Sequence, residues 1–295
     1  MTPVIAIFGE MLWDMLPSGK QPGGAPMNVA IHLKNFGMDP QFISRVGDDD
    51  LGRELMEYLA GQQLSTRYIQ TGTTHLTGIV KVNLTDRTEV TYKIVQPVAW
   101  DYIQLTPENI QLVKEADIFV YGTLAARSVQ SRDTLYELLD NARMKVFDVN
   151  VRPPHFDQAT AEHLLEKADI VKMNEHELAI IAEWFDILQD TETQMKEITK
   201  RFGLKLMCVT LGEHGALATD GKEIYRQHGY AVEVQDTIGS GDSFLAMFLT
   251  EYLHHANIPE AMKKACAVGA MVASYSGATP AISRHQLEEF ISVHS

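Results

Sequence analysis

Asp236-Thr237-Ile238-Gly239-Ser240-Gly241-Asp242-Ser243-Phe244 sets three small residues just ahead of a carboxylate and the apolar run Leu245–Leu253. Residues that small let the backbone curl until successive N–H groups point at one spot. The run that follows predicts a helix beginning around Asp242, whose free N–H groups and positive dipole end add to them. The product is an anion hole suited to a phosphoryl group gathering charge in transfer. A carboxylate at its mouth has two readings. Asp242 takes the proton of an attacking hydroxyl while the N–H groups hold the transferred phosphate, or it merely caps the helix.

Outward from this turn, short apolar runs recur: Ile5–Gly9, Ile118–Gly122, Lys145–Val149, Ile170–Met173 and Leu206–Leu211. They read as buried parallel strands. Amphipathic stretches lie between them, at Met27–Phe36, Leu51–Gln62, Ser131–Ala142, Ala159–Lys167, Glu175–Trp184 and Thr193–Phe202. This alternation predicts an α/β fold, a doubly wound and mainly parallel sheet covered on both faces. From about Leu76 to Gln96 the period changes to two, with a turn at Thr85-Asp86-Arg87. That hairpin is either a small antiparallel β lid over a site or a solvated edge hairpin. No repeat, low-complexity tract or long linker divides the chain, so residues 1–295 are expected to form one domain. Its lid would be made by 76–96 and a segment near 11–20.

Composition narrows the partners. The 25 Lys+Arg against 39 Asp+Glu give a formal net charge of −14. That field repels nucleic acid and anionic membranes, and an anionic ligand needs a metal or oriented N–H groups to reverse it locally. The start of the chain runs straight into an apolar strand with no basic leader, and no apolar run approaches the ~20 residues of a membrane span. A cytoplasmic address is expected, with no membrane partner. Cys208 and Cys266 have no metal-type spacing and read as buried reduced thiols. No Gly-x-x-x-x-Gly-Lys-Ser/Thr loop is present, and no Gly-x-Gly-x-x-Gly follows the first strand, which excludes a Walker-type NTPase and disfavours a Rossmann dehydrogenase.

A second glycine-rich turn, Pro22-Gly23-Gly24-Ala25-Pro26-Met27-Asn28, opens a helix with Asn28 on its first turn. Asp49 and Asp50 in Gly47-Asp48-Asp49-Asp50-Leu51 read as a turn and helix cap. Together with Gly37 and Gly47, the Gly23–Asn28 stretch resembles the first signature of the ribokinase-like (PfkB-type) carbohydrate kinases. Asp236–Asp242 resembles the second, more than two hundred residues later, in that family's order. Asn174-Glu175-His176-Glu177 is similar to the family's Asn-x-x-Glu motif, and Thr210-Leu211-Gly212-Glu213-His214-Gly215 to its nucleotide-phosphate turn. The resemblance spans essentially the whole chain and lies closest to bacterial fructokinases.

It implies a doubly wound domain with a small β lid, ATP, Mg²⁺ and a monovalent cation such as K⁺. Asp242 would be the base, with Gly239, Ser240 and Gly241 at the γ-phosphate. Lys172, Asn174, Thr210, Gly212 and Gly215 would attend the nucleotide phosphates. Glu177 would hold magnesium through water, and Asp236 and Ser276 would serve the monovalent cation. Lys172 as a solvated helix-edge lysine, and Ser276 in a plain turn, are the plainer readings. On the acceptor side the resemblance points to Asp14, Gly24 and Asn28, although Asp14 alone reads equally well as a surface-turn residue. Asp148-Val149-Asn150-Val151-Arg152 resembles a segment of fructokinases and 2-keto-3-deoxygluconate kinases, placing Asn150 and Arg152 by the sugar. Gly23-Gly24-Ala25-Pro26 leans toward fructokinases, so fructose is the expected acceptor. The keto-deoxy acid is the alternative, and a nucleoside kinase or a non-catalytic sensor the more distant ones. Cys266 stands where many members carry asparagine, and Met247 where a small residue is usual. A homodimer through the lid is expected from relatives alone.

Overall fold

A computed structural model describes residues 3–85 and 89–294. The Thr85-Asp86-Arg87 turn therefore lies largely outside the described residues. The strands are β1 (Val4–Phe8), β2 (Leu12–Leu16), β3 (Gly19–Gly23), β4 (Asp39–Gly47), β5 (Ile69–Gly72), β6 (Gly78–Thr85), β7 (Glu89–Ile94), β8 (Ile118–Gly122), β9 (Lys145–Asp148), β10 (Ile170–Asn174), β11 (Leu206–Thr210), β12 (Ala216–Thr219) and β13 (Ile224–Gln227). The helices are α1 (Ala25–Asn35), α2 (Asp50–Gly61), α3 (Pro107–Glu115), α4 (Val129–Leu139), α5 (Gln158–Lys167), α6 (Glu175–Trp184), α7 (Thr191–Phe202), α8 (Ser240–His255), α9 (Ile258–Ala273) and α10 (Arg284–His294).

The large sheet runs β13-β12-β11-β10-β9-β8-β1-β4-β5. It is parallel from β5 through β11, and β12 and β13 add an antiparallel edge. Successive side chains of a strand face opposite sides of a sheet, and here both sides are dry. Ile5, Ile7, Ile118, Val120 and Val146 pack with α1, α2, α8, α9 and α10 on one face. Ala6, Phe8, Phe119, Tyr121 and Phe147 pack with α3 to α7 on the other. Double burial makes these strands continuous apolar runs, and it is the observed counterpart of the two-faced sheet expected above.

α8 runs through the interior along its middle, with Phe244 through Glu251 all buried. A helix that is apolar all round must sit inside, and α8 packs between α1 and α9. Met247 and Cys266 fill this same core. Both cysteines are free and buried; burial raises the Cys208 thiol pKa and pushes Cys266 up to about 12.

The second sheet runs β3-β2-β6-β7. Its outer pairs are antiparallel, but the central pair β2–β6 is parallel, with Leu12 opposite Gly78. The hairpin is thus joined by residues 12–23 into one small sheet. Trp13 Nε1 donates to the Leu51 carbonyl at 3.0 Å, and Lys20 pairs with Glu54, which ties this sheet to α2. Among the described residues no helix is long and apolar enough to cross a membrane.

The strand order reverses between β1 and β8, because the chain leaves β1 toward β4 and returns on the other side at β8. In open α/β sheets the crevice beyond the carboxyl ends of strands at such a switch point is where ligands bind. A small cavity there is lined by Glu10, Pro26, Gly122, Leu124, Asp148 and Asn150, among others.

Candidate active site

Two turns meet over this crevice. Gly24 caps α1 with φ +116°, and a Cβ on it would come within 2.6 Å of the Glu10 carbonyl, so only glycine lets the turn lie on the end of β1. Gly239 caps α8 with φ +81°, and a Cβ there would meet the Ala278 carbonyl at 2.2 Å. The N-cap of α8 is therefore Gly239, with no side-chain bond. The helix begins at Ser240, two residues before the expected start, so Asp242 is its third residue and not its cap.

The Asp242 carboxylate is held instead by α1. Asn28 Nδ2 donates to Asp242 Oδ2 at 2.8 Å, joining residues 214 apart in sequence. Desolvation raises the Asp242 pKa, and Asp148 adds to the effect. Lys172, Asn28 and Arg152 pull the other way, and the balance stands at about 6. The group is ionised at neutral pH yet basic enough to accept a proton, as a general base must be. Beside it, Ser240 Oγ is buried without a partner among the described residues. An orphan hydroxyl at a helix N-terminus, with the free N–H groups of its first turn, fits an incoming phosphate oxygen.

Of the two readings of Lys172, the plainer one falls. The lysine is not a solvated helix-edge residue. It lies within β10, 7 % exposed, with Nζ 3.0 Å from Asp148 Oδ1. A Cβ on Gly241 would come to 3.1 Å from Nζ, so the cation lies against the first turn of α8. Burial alone would lower its pKa; Asp148, Glu177 and Asp242 outweigh that and raise it.

Asn174 and Glu177 form a capping box at the start of α6. Asn174 Oδ1 accepts from Glu177 N at 2.9 Å, and Glu177 Oε2 accepts from Asn174 N at 2.9 Å. Glu177 Oε1 takes Val151 N at 2.8 Å. One carboxylate thus braces both the Asn174 turn and the loop carrying Asn150 and Arg152. Burial raises its pKa. No cluster of three or more His, Cys, Asp or Glu among the described residues could hold a metal ion. The donor set suits a hard cation that keeps its waters and binds mainly to phosphate, as magnesium does.

On the other side, Asp14 projects from β2 with Oδ2 beside Gly23, where a Cβ would come within 2.3 Å. It is half-buried, and desolvation, opposed by Arg152, lifts its pKa to about 6. Asn150, just past β9, adopts φ +43°, a conformation that asparagine tolerates better than most residues. Arg152 is exposed, and its charge acts on Glu10, Asp14 and Asp242 alike. Thr210 ends β11, and Gly212 and Gly215 shape the following turn with φ +57° and +96°. Asp236 accepts from Ile238 N at 3.0 Å and from Gly277 N at 3.4 Å, which brings it to the loop of the exposed Ser276.

A hydrogen bond thus joins Asn28 to Asp242 and an ion pair joins Lys172 to Asp148, the charge of Arg152 reaches both Asp14 and Asp242, and Asn150 lines the cavity. Glu10 was not singled out from the sequence. It is 2 % exposed, and burial lifts its pKa to about 7. A carboxylate two residues past an apolar, largely buried strand was the available signal.

The chain matches the family described as pfkB family carbohydrate kinase over residues 18–284. It is 30% identical to a probable fructokinase-5 of Arabidopsis thaliana over 310 residues, covering 95% of this chain and 94% of that protein. A fructokinase from Xylella fastidiosa with bound ATP shares the fold, with a TM-score of 0.87 at 22% identity over 99% of both chains. A fructokinase from Vibrio cholerae O395, in a fructose, ADP and calcium ion bound form, superposes with a TM-score of 0.84. It is 25% identical over 98% of this chain and 99% of that one.

Proposed function

The chain belongs to the pfkB family of carbohydrate kinases, and on that premise we propose that it transfers the γ-phosphoryl group of ATP to a primary hydroxyl of fructose. One observation carries the reading: a carboxylate with a pKa of about 6, held by Asn28, stands at the mouth of a helix N-terminus with an orphan hydroxyl. In the reaction the fructose O–H gives its proton to Asp242 as the oxygen forms a bond to the γ-phosphorus. The bond from that phosphorus to the β–γ bridging oxygen breaks, and ADP leaves. The N–H groups of Gly239, Ser240 and Gly241 hold the equatorial oxygens, and Lys172 places positive charge behind them. Asn174, Thr210, Gly212 and Gly215 line the nucleotide side. Magnesium, held through water near Glu177, would neutralise the polyphosphate, and a monovalent cation such as K⁺ near Asp236 and Ser276 would support the anion turn. The fructose- and ADP-bound relative from Vibrio cholerae supports the choice of acceptor and nucleotide.

Asp14, Gly24, Asn28, Asn150 and Arg152 bind the sugar, and the small sheet acts as a lid that keeps water from the phosphate. Asp14 supplies two acceptor oxygens for neighbouring hydroxyls. Asp14→Asn is expected to raise KM for fructose about tenfold or more, with KM for ATP within about twofold. Steady-state kinetics with each substrate varied in turn checks this, and a shift in the ATP constant alone would remove Asp14 from the acceptor site.

Arg152 favours one second reading, because an exposed guanidinium facing the crevice also suits the carboxylate of 2-keto-3-deoxygluconate. ADP release with Mg·ATP is to be compared across fructose, ribose, 2-keto-3-deoxygluconate and adenosine. The highest kcat/KM is expected with fructose. A higher value with the keto-deoxy acid or the nucleoside keeps the mechanism and overturns the acceptor.

A further inference from the structure

The roots of the β6–β7 hairpin converge on one buried guanidinium. Arg127 ends a short turn just past β8, and its side chain and that of Asp101 are each 3% exposed. Nε donates to Asp101 Oδ1 at 2.7 Å and Nη2 to Oδ2 at 2.8 Å, a two-point fork that lysine cannot make. Nη2 also donates to the carbonyl of Val95, the residue after β7, at 2.8 Å. The guanidinium lies 3.9 Å from the centre of the Trp100 ring. That indole fills the space beside Gly78, the first residue of β6, where a Cβ would come within 2.4 Å of Nε1. Both strands of the hairpin are thus seated on a single cluster.

The cluster is itself fastened to the large sheet's layers. Ser128 Oγ donates to the Asp101 carbonyl at 2.6 Å, and Ser131 Oγ to the Trp100 carbonyl at 2.7 Å, both from the start of α4. Arg45 of β4 donates to the Tyr102 carbonyl at 2.7 Å. The charge of Arg127 also reaches beyond this cluster. Its charge acts on Glu10 past β1 and on His155 in the loop after Arg152, and His155 bonds the backbone of Ile94 at the end of β7.

As a mere staple this arrangement is expensive. Among the described residues Arg127 Nη1 and Trp100 Nε1 are both buried without partners, and apolar side chains of similar volume would hold two strands without that cost. What an apolar cluster cannot do is fix direction, since hydrophobic contact is non-directional whereas a fork and a carbonyl bond are not. We infer that Arg127, acting through Asp101 and Trp100, is a positioning residue that sets the angle of the β6–β7 hairpin over the acceptor hydroxyls. The inference rests on the kinase reading for its kinetic consequence only.

Three variants test it: Arg127→Gln, Arg127→Lys, and Arg127→Gln combined with Asp101→Asn, which removes both charges and leaves neither buried alone. Arg127→Gln is expected to raise KM for fructose about tenfold, with KM for ATP unchanged. It should also speed amide hydrogen exchange in β6 and β7 about tenfold, with β8 to β11 unaffected. Arg127→Lys should rescue neither. The paired variant should recover the thermal midpoint but keep the raised KM and the fast hairpin exchange. Recovery of all three in the paired variant, or faster exchange spread evenly through the large sheet, would make the cluster a structural brace and overturn the inference. A wild-type protein without acceptor-dependent ADP release would end the kinase reading instead. The exchange rates need no acceptor and would still decide whether Arg127 orders the hairpin.

Discussion

Asp242→Asn is expected to lower kcat by ~10³-fold while leaving fructose binding within a few-fold and making the protein more stable at neutral pH. The loss of rate follows from the missing base. Binding survives because the amide keeps the shape, and its oxygen still accepts from Asn28 Nδ2, now at 2.8 Å from the carboxylate. The gain in stability follows from burial. The folded-state pKa of about 6 stands above the ordinary 3.8, so the native protein holds this proton more tightly than the unfolded chain does. Stability from the group is full below pH ~4 and is lost as pH rises through about 6. An amide has no charge to desolvate, so above about pH 7 the variant gains on the order of 3 kcal/mol. Urea unfolding at neutral pH and at about pH 4 measures the difference, which should shrink at the lower pH. In the wild type kcat/KM should rise with pH through about 6 and level off. Turnover by the variant near the wild-type rate would remove Asp242 from the chemistry.

Lys172→Met should be costly in a different way. Its Nζ is the ion-pair partner of Asp148, and both residues are buried. Removing one partner of such a pair leaves the other charge uncompensated, with a penalty of ~3–5 kcal/mol. Asp148 already raises the Asp242 pKa, and Lys172 opposes it. Without the lysine the acid limb of the pH–rate profile should move to higher pH, and kcat should fall by ~10²-fold as positive charge leaves the phosphate cradle. Pairing Lys172→Met with Asp148→Asn should restore much of the stability but not the rate. An unchanged midpoint of urea unfolding together with an unmoved acid limb would show that the lysine is inessential to both.

What could be read from the chain depended on whether the deciding contacts were local. Ile118–Gly122 is buried on both faces, and its whole length is apolar, so its bounds were legible. Of β4 only the end at Arg45-Val46-Gly47 was legible, because Asp39, Gln41 and Arg45 interrupt its apolar residues. β3 reads Gly-Lys-Gln-Pro-Gly and carries no apolar pattern at all; pairing with β2 makes it a strand. α3 was overlooked although Thr106 and Pro107 give a regular start signal, with Thr106 accepting from Asn109 N.

The site divides in the same way. The turns at Gly24 and Gly239 announce themselves through small residues, and Asn174 with Glu177 is a local capping box. The bond from Asn28 to Asp242, the placing of Lys172 against Gly241 and the Arg127–Asp101 fork are tertiary facts. They join residues far apart in sequence, and no spacing encodes them. Glu10 lies between these cases. Its position after β1 was visible, but its burial depends on α1 and on the ends of β8 and β9 closing over it.

The most direct test of phosphoryl transfer to the sugar follows both products at once. Purified protein is incubated with Mg·ATP and fructose, and ADP and fructose phosphate are measured over the same time course. The two should appear in equal amounts, with no ADP formed when fructose is omitted. ADP released without sugar phosphate, or neither product formed although both ligands bind, would contradict it.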